Sequence, residues 1–316
     1  MERKMEERLN KAYRRRLNSQ ERRNIPMVLT FLVPLLIFYT ILFIYPSLKA
    51  FYVSLHDWNG FTSDMVYVGM ANFKELFHDS TFLRSIKITI YYLIIGGILI
   101  LGMALFLSAI LATNIKGKKV MRAIIFFPSV VSSIAIAILW GFIYNPKFGL
   151  LNNVLSAIGL SSIIQPWTSN ENITNALLPV LIWTYCGYFC VIFLSGLDRI
   201  PFDVVEAAKI DGASEIQIFF KVKLPLIKNI LGTAIVLWII DCIKEFGLFY
   251  AWNGSGGPPP VGLTNMAVKM YITAFGKRNV TFRMGYATTM GVIMFLLIGI
   301  LVPIVYSYFN KDRYEY

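Results

Sequence analysis

Three ionisable residues, Asp241, Lys244 and Glu245, stand close together inside an otherwise apolar run. A charge in hydrocarbon costs roughly 2.5–3.5 kcal/mol on insertion scales, so such residues face a cavity or a partner. Asp241 and Lys244 are three apart and can pair on a helix, with Glu245 on a neighbouring face. Two uses follow: an internal ion pair that holds helices together, or a polar wall that contacts hydroxyl groups. Aromatic residues lie in the same kind of environment. Trp183, Tyr185, Tyr188 and Phe189 fall in one apolar run, and Trp238 and Tyr250 in another. Their rings can stack on pyranose faces, although aromatics in such runs more often pack or mark the membrane interface.

Groups for bond-making chemistry are scarce. No Walker A pattern occurs: Gly117-Lys118 comes nearest, but the required earlier glycine is replaced by Ala112. HExxH and GxSxG are absent, and the only histidines are His56 and His78. Cys186, Cys190 and Cys242 all lie in apolar runs. Cys186 and Cys190 can share a helix face, yet no second ligand pair completes a metal site, so they read as small buried thiols. The sequence therefore predicts no catalytic residue, no metal site and no nucleotide site of its own.

The elements that must position these residues are membrane spans. Of 316 residues, 56% are apolar and 15% charged, and mean hydropathy is +0.60. Soluble domains carry nearer one quarter charged residues, so composition places the chain in a bilayer. A hydrocarbon core about 30 Å thick needs roughly 20 apolar residues per helix. Six runs qualify, at about 26–48, 86–112, 120–143, 175–196, 227–250 and 286–309. The first begins after a long polar lead and has no small-residue cleavage site, which predicts a retained span rather than a signal peptide. Pro34 within it is tolerable where neighbouring helices satisfy the freed carbonyl.

Net charge is +12, but the basic residues are not gathered into a nucleic-acid surface. With the N-terminus inside, the first 23 residues supply nine Lys and Arg, the 113–122 connection four, the 197–228 connection five and the C-terminal tail two. The opposite side collects only eight: Lys49, Lys74, Arg84, Lys147, Lys269, Lys277, Arg278 and Arg283. The excess predicts both termini and the 197–228 connection on the cytoplasmic side. Residues 1–24 read as a basic cytoplasmic tail and 25–316 as the transmembrane domain.

The longest inside connection is Glu206-Ala207-Ala208-Lys209-Ile210-Asp211-Gly212-Ala213-Ser214, continuing through Phe219 and Phe220 to Leu224-Pro225. Its residue types predict two short helices with a break. Pro201 or Asp203 suits a first turn, and Ala207 and Ala208 leave one face narrow. Gly212 can take the left-handed conformation that ends a helix, with Asp211 able to bond its own backbone. Ser214 can cap a second helix, on which Ile216, Phe219 and Phe220 fall at helical spacing, and Pro225 precedes the next apolar run.

This Glu-Ala-Ala…Asp-Gly-Ala pattern, with Phe219 and Leu224-Pro225 beyond it, resembles the coupling loop of binding-protein-dependent ABC importer permeases of the carbohydrate class, such as the maltose and glycerol-3-phosphate permeases. Other stretches agree: Pro46, Asp57-Trp58, Gly69 and Asn72-Phe73, then Asn145-Pro146, Gly149 and Asn152. The likeness runs from about residue 34 to 309. One departure is visible, since family members show Thr before Gly-Gly-Pro where Trp252-Asn253-Gly254-Ser255 stands here.

The resemblance implies an all-α integral membrane protein with six transmembrane helices and the type I ABC importer permease fold, its coupling loop spanning 200–225. It implies a non-enzymatic, multi-pass subunit of a bacterial cell membrane that passes a sugar handed over by an extracytoplasmic solute-binding protein. A second permease chain, as a heterodimer, and two ABC ATPase subunits that use ATP and Mg would complete the assembly. Glu206, Ala207, Ala208, Asp211, Gly212, Ala213, Phe219, Phe220 and Pro225 would then meet an ATPase subunit. No basic cluster in the sequence separates neutral sugars from glycerol-3-phosphate or uronic oligosaccharides. A secondary transporter would favour repeated halves, and 26–143 compared with 175–309 shows no obvious duplication. A lipid or glycosyl transferase would need clustered carboxylates or His at a membrane face.

Overall fold

A computed structural model describes residues 26–113, 115–252, 260–276 and 282–309. The basic tail, the Gly-Gly-Pro stretch and the last seven residues lie outside them. The chain divides into two compact units, 1–53 and 54–316. The described residues of the first form one helix, α1 (Pro26–Ser54), that ends where the second unit begins. Pro34 sits inside it, and one wider turn covers Thr40–Ile44.

The second unit opens with a two-residue antiparallel pair, β1 (His56–Asp57) and β2 (Val66–Tyr67), with His56 opposite Tyr67. The sequence reading contained no strand. Helices α2 (Ala71–His78) and α3 (Ser80–Leu111) follow. Helix α3 starts earlier than the apolar run does, because Asp79 caps it and accepts from the amides of Thr81 and Phe82. Next come α4 (Lys118–Val130), α5 (Ser133–Ile143), α6 (Leu150–Ala157) and the long α7 (Ile173–Leu197). Then α8 (Phe202–Ile210), α9 (Glu215–Leu226), α10 (Lys228–Lys244) and the short α11 (Gly247–Ala251) lead to α12 (Met266–Phe275) and α13 (Met284–Phe309).

Among the described residues, four helices are long and apolar enough to cross a membrane, and two bent pairs bring the total to six if each pair is one span. Counted in that way the six expected spans each have a counterpart, and two of them are not straight. The run at 120–143 bends by 97° between α4 and α5. Val131 and Ser132 are extended there, within a Ser-Val-Val-Ser-Ser run of weak helix formers that follows Pro128. The run at 227–250 bends by 71° from α9 at its start and breaks again after Lys244.

The core lies where α3, α7 and α10 meet, around Tyr92, Ile100, Leu177, Leu181, Phe189, Phe193 and Trp238. A second cluster joins Leu76 and Phe82 to Ile239, Ile243, Met266, Met290 and Met294. All three cysteines are buried. Helices α4 and α7 touch at Gly187, where an added Cβ would overlap the carbonyl of Ile125.

At the end of the bundle that carries α2, a charge network ties separate elements together. Arg283 donates two bonds of 2.6 Å to Glu75 and lies over the ring of Tyr286, 4.3 Å from its centroid. Asp79 accepts from Tyr286 Oη at 3.1 Å and pairs with Lys269 at 3.6 Å. The bonds from Arg283 hold the Glu75 carboxyl below its ordinary range. A lowered folded-state pKa stabilises the fold above the unfolded pKa, and that contribution is lost as pH falls through the folded value. Thermal melts in detergent should therefore show a contribution constant from neutral pH down to about pH 4.5, falling below it. Arg283→Gln should remove that acid-side dependence, and an unchanged profile would disprove the assignment.

Candidate functional site

Two separate places carry the residues singled out in the sequence. The first is the α8–α9 loop. Helix α8 starts from Pro201 in an extended conformation and ends in a left-handed glycine, Gly212, at φ +80°. The amide of Ala213 bonds the carbonyl of Ala208, and that of Gly212 bonds Lys209, which is the Schellman arrangement. Two residues later Ser214 opens α9 with a complete capping box: its hydroxyl accepts from the Gln217 amide, and the Gln217 side chain accepts from the Ser214 amide. An ion pair of 2.7 Å, Lys209 to Glu215, spans the turn. The expected bond from Asp211 to its own backbone is not made; the Schellman bonds already end the helix.

Glu206, Ala207, Asp211 and Gly212 are exposed, and Ala208 and Ala213 are half-buried. Of the apolar residues on α9, Ile218 is fully buried and Phe219 half-buried, whereas Ile216 is 72% and Phe220 60% exposed. Ile210, at the tip of α8, is 81% exposed. An apolar cleft of about 600 Å³ lies between α9 and the Leu111 end of α3, lined by Leu105, Phe106, Ile110, Ile216, Phe219 and Phe220. Pro225 is exposed, and the chain turns into α10 two residues later, at Ile227. At this same end, Asp198 just past α7 binds Arg122 at 3.1 Å and Lys118 at 3.9 Å, anchoring the start of α4 beside the loop.

The second place is the far end of α10. After Lys244 the backbone of Glu245 is extended, and the next helix begins only at Gly247. The Glu245 carboxylate holds this break. It accepts from Tyr185 Oη at 2.5 Å and from the Leu248 amide at 3.0 Å. Its carbonyl accepts from Asn265 Nδ2 at 2.5 Å, and Asn265 in turn caps α12 through the Val268 amide. Asp241, Glu245, Tyr185, Trp238, Tyr92, Leu181, Cys242 and Phe249 line a cavity of about 10 Å³, room for one water.

The Asp241–Lys244 ion pair that the spacing allows is not closed in this structure. Asp241 lines the cavity while Lys244, the last residue of α10, is exposed, and no ion pair joins them. Of the aromatic candidates, Tyr185 and Trp238 meet at 5.8 Å on the cavity wall, and Trp238 Nε1 donates to the Leu93 carbonyl. Phe189 is buried behind Trp238, Trp183 packs on Trp140, and Tyr188 packs on Phe189. Tyr250 stacks on Phe246 and meets Tyr271. Tyr92 and Phe249, which the sequence reading passed over, belong to the wall. A tyrosine in an apolar run was the available signal for Tyr92; nothing marked Phe249.

Residues 101–313 match the family described as the binding-protein-dependent transport system inner membrane component. The chain belongs to this family. The probable ABC transporter permease protein YurN of Bacillus subtilis is 31% identical over 90% of this chain and 96% of its own length. The diacetylchitobiose uptake system permease protein NgcF of Streptomyces coelicolor is 32% identical over 83% of this chain and 76% of its own. Among solved structures, a bacterial ABC transporter involved in the import of the acidic polysaccharide alginate superposes with a TM-score of 0.78. It covers 94% of this chain and 99% of that one, at 20% identity, and so speaks to the fold. The chain is a multi-pass membrane permease, a transport component.

Proposed function

We propose that this permease forms the path for a saccharide in an ATP-driven importer, receiving it from an extracytoplasmic binding protein and doing no bond chemistry itself. The observation that carries the reading is the α8–α9 loop. Its two helices are locked to each other yet present Ile210, Ile216 and Phe220 to the surroundings, which suits docking into a partner's cleft. That partner is an ABC ATPase, present twice, which consumes ATP with Mg. A second permease chain completes the channel as a heterodimer, and both termini and the loop face the cytoplasm.

Relatives named for diacetylchitobiose and for multiple sugars support a saccharide cargo. The wall formed by Asp241, Glu245, Tyr185 and Trp238 suits it, combining hydroxyl-binding carboxylates with aromatic faces. Its cavity has room for about one water, so the wall must open as the bundle moves between its two states. Family membership leaves the ion-driven transporter and the membrane transferase without support.

Purifying the tagged chain from its native membrane should bring down a Walker-type ATPase and a second permease. Glu206→Lys should still insert and assemble, yet lower ATP-dependent sugar uptake by at least about tenfold, the scale of a misplaced interface charge. Uptake at the wild-type rate, or a chain that purifies alone, would count against the reading.

A further inference from the structure

The cavity at the end of α10 is lined by two acidic side chains and no basic one. Asp241 and Glu245 both line it, and its remaining lining residues, Tyr92, Leu181, Tyr185, Trp238, Cys242 and Phe249, include no Lys, Arg or His. The one cation close by in sequence, Lys244, is exposed and is not among the lining residues. The two carboxylates differ in state. Glu245 has both oxygens engaged, one by Tyr185 and one by the Leu248 amide. Asp241 is half-buried and has neither a hydrogen-bond partner nor an ion-pair partner among the described residues, so its acceptor capacity is left for whatever occupies the cavity.

We propose that this wall makes the permease selective by charge: it passes neutral or amino-substituted saccharides and rejects anionic ones, uronates and sugar phosphates alike. The inference rests on the reading of this wall as part of the saccharide path. Its physical basis is that like charges brought together away from bulk water repel strongly, whereas a hydroxyl or ammonium donor satisfies a carboxylate that would otherwise go unpaired. Aromatic faces beside the carboxylates serve a neutral ring or a cation equally well. The selection sets this chain apart from its fold neighbour, the transporter involved in import of acidic alginate. Likeness of fold at 20% identity says nothing about the charge of the cargo.

The test removes the binding protein's own preference. The assembled permease–ATPase complex is placed in nanodiscs at pH 7 without binding protein. Saturation-transfer NMR then compares three disaccharides of matched size: cellobiose, its amino counterpart the glucosamine dimer, and cellobiouronate. Cellobiose and the glucosamine dimer should bind at least about tenfold more tightly than cellobiouronate. Asp241→Asn keeps the shape of the side chain and breaks no bond present here, and should narrow that gap to about threefold or less. Cellobiouronate binding as tightly as cellobiose to the wild type overturns the charge rule and leaves the saccharide reading standing. So does a gap that Asp241→Asn leaves unchanged. Failure of all three disaccharides to bind overturns the saccharide reading, and the charge rule with it.

Discussion

Gly212→Val is expected to leave the protein inserted and folded while cutting transport by about five- to thirtyfold. The residue sits at φ +80°, and a Cβ added there meets nothing within 4 Å, so the substitution introduces backbone strain and no clash. Forcing an L residue into the left-handed region costs roughly 1–2 kcal/mol, which shifts an equilibrium by about that factor. Relief comes only by reopening the turn, which breaks the two Schellman bonds and swings Lys209 away from Glu215. The loop would lose its fixed shape while the spans, packed elsewhere, kept theirs. Gly212→Asn is the control, since asparagine tolerates this conformation, and it should retain most uptake. Equal uptake by the valine variant and the wild type would show that the shape of the turn is not what the motor needs.

Gly187→Val should fail in the opposite way, at folding. Gly187 is buried where α7 crosses α4, and its added Cβ would overlap the backbone carbonyl of Ile125. A side chain in the way can rotate; a helix carbonyl cannot. The two helices must separate, and overpacking of this kind costs about 3 kcal/mol. The expected result is low yield in the membrane and a clearly lowered melting temperature in detergent. Gly187→Ala should show the same trend to a lesser degree, because a single methyl already overlaps. Melting of the valine variant at the wild-type temperature would mean that α4 and α7 do not meet as described.

Much of this was legible before the fold. Gly212, Ser214 and the apolar spacing of α9 announce a helix, a left-handed stop and a capped restart, since each signal is local in the chain. The spans follow from length and hydropathy alone. Asp79 ahead of Ser-Thr-Phe is an equally local capping signal, and it starts the helix six residues before the apolar run at 86. What sequence could not show is set by distant partners. The break at Glu245 is held by Tyr185, sixty positions earlier, and by Asn265, twenty positions later. Spacing permitted an Asp241–Lys244 pair, but the end of α10 sends the two side chains into different surroundings. The bend between α4 and α5 sits in a Ser-Val-Val-Ser-Ser run that hydropathy reads as uninterrupted.

Because the turn between α8 and α9 is closed by backbone bonds, a capping box and an ion pair, it has little slack to absorb a load. On the proposed reading, a push at its tip would be delivered to Ile227, where the chain turns through 71° into α10. Helix α10 then acts as a connecting rod about 25 Å long. Its far end is the pair of carboxylates, so on the proposed reading a stroke at the loop would arrive there as a change in aperture.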